Sequence, residues 1–151
     1  MSTLDTLLLF TNLGNYLFVP VYEIPDIKWK VLGKHISNLI KLEENEEIVS
    51  AIPIYDFNKD NHIVIASKNG MIKKTKISEF KVSRYSKAIA CMKLKDDDRV
   101  INAFIDDSSS VLIATLKGYS LWFDLLEVPA SGIKSSGVKS INLKEDEVVS
   151  A

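Results

Sequence analysis

The sequence contains a single cysteine, which excludes a disulfide framework. Cys91 lies between Ala90 and Met92 in an apolar run, so we expect a buried and unreactive thiol. Only two histidines are present, His35 and His62, and neither belongs to a recognisable catalytic or metal-binding pattern. The chain also lacks a phosphate-binding loop, a dinucleotide-binding fingerprint, a CxxC pair and a nucleophile elbow. We therefore expect a non-catalytic chain with no cofactor and no metal site.

Long hydrophobic runs are also missing. No stretch approaches the roughly 18 consecutive apolar residues that a membrane-spanning helix needs. The N-terminal sequence MSTLDTLLLF has neither the basic region nor the small-residue cleavage site of a signal peptide. With 151 residues, 46% of them hydrophobic and 26% charged, the composition is that of one globular domain. We expect a soluble, cytoplasmic protein without membrane contact.

A hairpin motif recurs three times at a spacing near fifty residues. The three copies are LLLFTNLGNYLF (7–18), HIVIASKNGMIK (62–73) and SVLIATLKGYSLW (110–122). Each has an apolar run, a polar turn that ends in glycine, and a second run, and each turn glycine is followed by a glutamate nine residues later. A second motif, an acidic turn between two apolar runs, follows at 39–51, 91–103 and 141–151. The repeat therefore predicts four antiparallel strands per unit.

Four-stranded units at this period are typical of propeller-like blades, whose neighbours bury one another's faces. We therefore predict an all-β domain over residues 1–151, with blades at about 4–59, 60–108 and 109–151, the last one incomplete. The alternating apolar residues of the hairpins should form the core. They are Leu7, Leu9, Ile63, Ile65, Val111 and Ile113.

The formal net charge of -1 conceals an uneven distribution of charge along the chain. Acidic residues collect in the second turn of each repeat, at 43–47, 96–98 and 145–147, and stacking of the blades should place these turns on one side. Basic residues concentrate between Lys68 and Lys87, with smaller groups in IKWKVLGKH (27–35) and GIKSSGVK (132–139). Lysines fall on both faces of the strand that follows Gly70, which predicts an outer edge strand.

Two explanations fit these lysines. Lysine protects exposed edge strands from pairing with other chains. A basic perimeter can alternatively follow a nucleic-acid backbone, with little sequence specificity because the chain has only two arginines for guanine contacts. Three aromatic residues near the basic groups, Trp29, Tyr85 and Trp122, could pack within the fold or stack on unpaired bases.

Several segments resemble a known family. The run LLFTNLGNYLFVPVYEIPDIKWKVLGKHISNLIKLEENEEIVSAIPI, ASKNGMIKKTKISEF and RYSKAIACMKLKDDDRV are similar to the C-terminal domain of the A subunits of bacterial type IIA topoisomerases. Within that group YEIPDIKWK, RYSKA, KGYSLWF and GVKSINLKEDEVV resemble topoisomerase IV of Gram-positive bacteria more than gyrase. The glutamine-arginine-glycine-rich box of gyrase has no counterpart here. Family discs have five or six blades, so we expect a partial disc.

The resemblance implies a β-pinwheel whose outer rim binds and bends duplex DNA and presents it to a separate cleavage core. It also implies a parent enzyme that hydrolyses ATP with Mg²⁺ through other domains, pairs with a second copy of its own chain and with an ATPase subunit, and associates with the chromosome. The catalytic tyrosine of the family lies in a domain outside this sequence. The residues expected to contact DNA are Lys73, Lys74, Lys76, Arg84 and Lys87, with Lys28, Lys30, Lys34, Lys134 and Lys139 as additional candidates.

A different class of function fits the repeats as well. Propeller-like domains commonly bind protein partners, and the acidic turns at 43–47 and 96–98 would supply a surface for such an interaction scaffold.

Overall fold

The computed structural model describes residues 1–151, and it contains strands and short 3₁₀ turns but no α-helix. The predicted all-β class is thus confirmed, and no helix is long and apolar enough to cross a membrane. The strands are β1 (Thr6–Thr11), β2 (Asn15–Pro20), β3 (Ile48–Ile54), β4 (His62–Ser67), β5 (Met71–Lys76), β6 (Ile89–Ala90), β7 (Val100–Ile105), β8 (Ser110–Thr115), β9 (Ser120–Asp124), β10 (Val138–Lys139) and β11 (Val148–Ser150). The 3₁₀ turns are Val21–Glu23, Ile36–Asn38, Ile77–Phe80 and Leu125–Glu127.

Each predicted hairpin forms, as β1–β2, β4–β5 and β8–β9. The turn glycines Gly14, Gly70 and Gly118 all have φ between +80° and +86°, a backbone conformation that disfavours other residues. The three hairpins share one register. Directly opposed pairs at equivalent positions are Leu9 with Leu17, Ile65 with Lys73, and Ile113 with Leu121.

The sheets exchange strands between repeats. Their strand orders are β3-β1-β2-β6, β10-β5-β4-β7 and β11-β8-β9. The short strands β6 and β10 therefore belong to the sheet of the preceding repeat, and they pair with β2 and β5. The prediction that the strand after Gly70 lies at an outer edge is wrong, because β5 is flanked by β4 on one side and β10 on the other.

Strands β3, β7 and β11 meet on the inner side of the domain. The Ser50 hydroxyl donates a hydrogen bond to the Ala103 carbonyl at 2.6 Å, and the Asn102 amide donates to the Ala151 carbonyl at 2.8 Å. Since β6 and β10 form the opposite ends of their sheets, the segments that lead to them run along the outer side. We call these two segments crossover 2 (residues 77–90) and crossover 3 (125–139), and we call the equivalent segment of the first repeat crossover 1 (21–41).

The core lies between the sheets and under the crossovers. Of the predicted core residues, Leu9, Ile63, Ile65, Val111 and Ile113 are buried, whereas Leu7 is half-buried. Three aromatic rings, Phe10, Tyr16 and Phe80, contact one another at centroid distances of 5.1–6.2 Å. Because Phe80 belongs to crossover 2, this cluster attaches the second repeat to the first sheet.

Candidate nucleic-acid interface

The three lysines of β5 have different surroundings. Lys76 is exposed, and Lys74 is half-buried with its Nζ donating to the Leu125 carbonyl at 3.1 Å. Lys73 has no exposed surface, so its ammonium group cannot reach a phosphate. We therefore correct the predicted set of DNA-contacting residues by removing Lys73.

Lys73 is buried because crossover 3 covers β5. The Ser131 amide donates to the Lys74 carbonyl at 2.8 Å, and β10 pairs with the first two residues of β5. Gly137, with φ +79°, permits this approach, since a Cβ there would overlap the Ile72 carbonyl oxygen and lie 2.8 Å from Lys73 Cβ. Alternation of side chains along a strand does not reveal such a cover, because the covering segment comes from another repeat.

The Lys73 ammonium group lies among four backbone carbonyl oxygens. Its Nζ donates to Cys91 at 2.7 Å, to Gly132 and Ile133 at 2.8 Å, and is 3.4 Å from the Ser135 oxygen. Burial lowers the Lys73 pKa to about 8, although the nearby Cys91 thiol and Glu79 carboxylate act in the opposite direction. The charge of Lys73 thus belongs to the interior of the fold.

Eight of the predicted DNA-contacting residues are exposed. They are Lys28, Lys30, Lys34, Lys76, Arg84, Lys87, Lys134 and Lys139. The ion pair that the structure contains between a lysine and a carboxylate joins Lys68 with Glu147, and His62 Nδ1 lies 3.1 Å from Asp106. None of the eight forms a direct ion pair with a carboxylate.

The crossovers that carry most of these cations adjoin one another. Crossovers 1 and 2 meet through the Tyr22 and Tyr85 hydroxyls, which are 3.2 Å apart. They also meet through an isolated parallel β-bridge between the backbones of Lys41 and Lys87. Crossover 3 meets the segment that follows β6, where the Lys93 amide donates to the Ser135 carbonyl at 3.1 Å. The fold thus brings basic groups that are far apart in the sequence onto a continuous series of outer segments.

Two of the eight exposed cations lie close to acidic turns. Lys87 lines a groove with Glu43 and Glu44, and Lys139 lines a smaller one with Asp146. The sequence suggested that basic and acidic residues lie on different sides of the domain, but these two lysines lie next to acidic turns. We call the remaining six the outer cations, and they are Lys28, Lys30, Lys34, Lys76, Arg84 and Lys134.

One carboxylate of each acidic turn has a structural role that the sequence did not reveal. Glu46 accepts from the Thr11 hydroxyl at 3.0 Å, and Asp98 accepts from the Ser67 hydroxyl at 2.7 Å. In the third repeat Asp146 accepts from the Lys117 amide at 3.1 Å. Burial acts to raise the Asp146 pKa, but hydrogen bonds from Thr115 and the Glu147 and Lys117 amides hold it below its usual range. These carboxylates fasten the acidic turn to the hairpin turn of the same repeat.

A sequence signal for these pairs exists. A hydroxyl residue stands three positions before each turn glycine, as Thr11, Ser67 and Thr115. A buried hydroxyl needs a partner, and the acidic turn supplies one. The remaining acidic residues of the turns, such as Glu44 and Asp97, are exposed, except for Glu147, which is half-buried.

The three aromatic candidates, like the lysines of β5, differ in how far they are exposed. Trp29 is 89% exposed and Trp122 is 75% exposed. Tyr85 packs against Phe18 with a centroid distance of 5.4 Å, and its hydroxyl is 3.2 Å from the Glu23 carboxylate. Hydrogen bonding with Tyr22 and burial raise the Tyr85 pKa to about 12. Tyr85 is thus a structural contact between crossovers, whereas the two tryptophans are available to ligands.

The thiol of Cys91 has the surroundings that the sequence predicted. It is 1% exposed, its Sγ donates to the Gly14 carbonyl at 3.3 Å, and burial raises its pKa to about 12. A thiol that stays protonated at neutral pH is a poor nucleophile.

Comparisons with known proteins agree with this architecture. The family described as "DNA gyrase C-terminal domain, beta-propeller" matches residues 5–54, 61–105 and 109–151. The A subunit of DNA topoisomerase 4 from Bacillus subtilis (strain 168) is 47% identical over 150 residues, which is 99% of this chain and 19% of the relative. The chain thus spans about one fifth of the length of this curated relative.

Two solved structures are similar over nearly the whole chain. The C-terminal domain of DNA topoisomerase IV matches with a TM-score of 0.95 and 48% identity, covering 99% of this chain and 47% of that one. The C-terminal domain of DNA gyrase A matches with a TM-score of 0.77 and 28% identity, again over 99% of this chain and 47% of the other. Because the family match covers all three repeats, the chain belongs to the DNA gyrase C-terminal domain family of β-propellers, as the resemblance in its repeats predicted.

Proposed function

We propose that this chain binds duplex DNA without sequence specificity and bends it along the outer crossovers. Family membership and the similarity to a topoisomerase 4 chain support a role with DNA. The observation that carries the proposal is that the six outer cations are exposed and form no ion pair with a carboxylate. Such cations can neutralise phosphates and release counterions.

The side chains on the crossovers favour contact with phosphates over reading of bases. Five of the six outer cations are lysines, which act as point charges, and Arg84 is the single guanidinium among them. The structure also offers no α-helix for the major groove. Phosphate contacts fix the position of a duplex but carry no sequence information. Binding should therefore be similar for unrelated sequences.

Bending requires several of these contacts together. Bending a site of 20–30 base pairs by 40–90° costs on the order of 1–6 kcal/mol. A single hairpin cannot supply this, but the three adjoining crossovers present cations on consecutive repeats. Lys28, Arg84 and Lys134 represent the three crossovers in turn. We propose that DNA crosses all three.

In the whole protein this domain would present a DNA segment to a separate cleavage core during ATP-dependent relaxation or decatenation. The partners would then be a second copy of the same chain together with an ATPase subunit, while ATP and Mg²⁺ would bind to other domains. The role of this chain is non-catalytic: its buried thiol is protonated, and its exposed tyrosines Tyr22, Tyr55 and Tyr119 lie in no catalytic motif. The protein would act in the cytoplasm, on the chromosome.

The proposal can be tested with duplexes of about 25 base pairs that have unrelated sequences and a fluorophore at each end. We expect affinities that agree within about threefold, and an increase in energy transfer on binding because the ends approach each other. A duplex that binds without a change in energy transfer would contradict bending. Absence of binding at low salt, or a strong preference for one sequence, would contradict the proposal as a whole.

A further inference from the structure

The carbonyl oxygens around Lys73 form a site for a small cation that the chain fills with its own ammonium group. The four oxygens come from two crossover regions, Cys91 after β6 and Gly132, Ile133 and Ser135 in crossover 3. The ammonium group has three hydrogens for these four acceptors, and no carboxylate bonds to it. These oxygens lie 2.7–3.4 Å from the Nζ of a fully buried side chain, so the fold itself holds them around the cation.

Two of these oxygens depend on Lys73 alone. The Cys91 and Ile133 carbonyls accept no other hydrogen bond, whereas the Gly132 and Ser135 carbonyls also accept from backbone amides. A buried carbonyl without a donor is costly, so loss of the ammonium group would release the segment that carries it. In crossover 3 that segment includes Lys134, which stands between Ile133 and Ser135 and is one of the outer cations.

The same position in the first repeat shows that the fold itself does not require a charge there. Leu17, which is buried, occupies the position equivalent to Lys73, and it packs in an apolar cluster with Leu9, Val19 and Ile40. The second repeat therefore uses an ammonium group where the first uses hydrocarbon contacts.

We propose that the Lys73 ammonium group is an internal cation that fixes the shape of crossover 3 and thereby positions Lys134 for DNA. Lys73 is a positioning residue, since it is buried and touches no ligand. The claim about Lys134 rests on the proposed function, whereas the claim that the carbonyl site binds a primary ammonium ion does not.

The cation site can be tested by chemical rescue. The variant Lys73→Ala removes from the side chain the atoms of n-propylammonium, and we expect its Tm to fall by at least about 5 °C. Added n-propylammonium should raise the Tm of this variant with saturation. Tetramethylammonium, which carries charge but no N–H donor, and propan-1-ol, which is neutral, should have little effect. If n-propylammonium raises the Tm of Lys73→Ala no more than tetramethylammonium or propan-1-ol does, the cation site is wrong.

Leu17→Ala is the matched control, because it leaves a cavity at the equivalent position without the carbonyl oxygens. We expect n-propylammonium to leave its Tm unchanged. Equal rescue of both variants would show a general effect of the salt and would also overturn the site.

The wild-type chain supplies a second measurement in case Lys73→Ala does not fold. With ¹⁵N-labelled lysine, hydrogen exchange slows for an ammonium group that is buried and hydrogen-bonded. We expect one strongly protected ammonium signal, assigned to Lys73 by its loss in Lys73→Met. If every ammonium group exchanges as rapidly as free lysine, the buried site is wrong.

DNA binding tests the positioning claim. Loss of one phosphate contact at about 0.1 M salt should weaken binding up to about tenfold. We expect Lys134→Gln and Lys73→Met each to weaken binding within this range, and the double variant to be no weaker than the stronger single one. Additive losses, or no loss for Lys73→Met, would contradict positioning. If the wild type binds no duplex, the proposed function fails, and the rescue experiment still decides the cation site.

Discussion

The junctions between consecutive repeats use the same backbone arrangement with opposite chemistry. At the first junction Leu17 packs against apolar side chains beneath crossovers 1 and 2, and at the second Lys73 donates to carbonyl oxygens of crossover 3. Both side chains are fully buried and both oppose a buried aliphatic residue, Leu9 or Ile65. The comparison teaches that the chemistry of a buried position of this repeat matches what covers it, since the leucine is covered by apolar side chains and the lysine nitrogen by carbonyl oxygens.

The largest effect should come from placing the lysine at the wrong junction. In Leu17→Lys an ammonium group would enter the apolar cluster of Leu9, Val19 and Ile40. We expect a loss of about 3–5 kcal/mol in the free energy of unfolding, because a buried charge would have no partner. Urea denaturation measures this loss, with Leu17→Met as the control. A stability close to that of the control would show that the two junctions are interchangeable.

A smaller effect is expected from the glycine that lets crossover 3 approach β5. Gly137→Ala would place a methyl group against the Ile72 carbonyl oxygen and the Lys73 side chain. Gly118→Ala is the matched control: its φ is similar, at +86° against +79°, but nothing lies within 4 Å of the added Cβ.

Both substitutions carry the backbone penalty of about 1–2 kcal/mol for a left-handed residue. We expect Gly137→Ala to lose more than this in urea denaturation, because the steric overlap adds to the penalty. Equal losses for the two variants would indicate that crossover 3 can move away from β5 without cost, and the close approach would then not matter to stability.

Much of the fold follows from the sequence. The recurring glycines at 14, 70 and 118 with alternating apolar residues predict the three hairpins, and the positions of Ile63 and Ile113 predict the core. The exchange of β6 and β10 between sheets could not be predicted in this way. A periodic sequence has the same period whether the fourth strand pairs within its own repeat or with the preceding one.

The candidate site was predicted less completely, because one of the predicted residues is covered by a segment from another repeat. Lys76 and Arg84 are exposed as expected, but Lys73 is covered by residues 132–135, which come about sixty positions later in the chain. Likewise, the sequence suggests that all residues of an acidic turn are solvated. In the structure Glu46 and Asp98 are buried, and each accepts a hydrogen bond from a hydroxyl group. Local pattern gives the direction of a side chain, whereas burial depends on segments that are distant in sequence.

The most direct test of the proposed function is the salt dependence of duplex binding by two triple variants. Lys76→Gln, Arg84→Gln and Lys134→Gln together remove outer cations, while Lys68→Gln, Lys87→Gln and Lys139→Gln together remove the same charge beside the acidic turns. We predict that the first variant lowers the slope of log K against log salt by about 2.7, or 0.9 for each lost phosphate contact. The second should lower it much less. Equal slopes for the two variants would contradict the placement of DNA on the outer cations rather than beside the acidic turns.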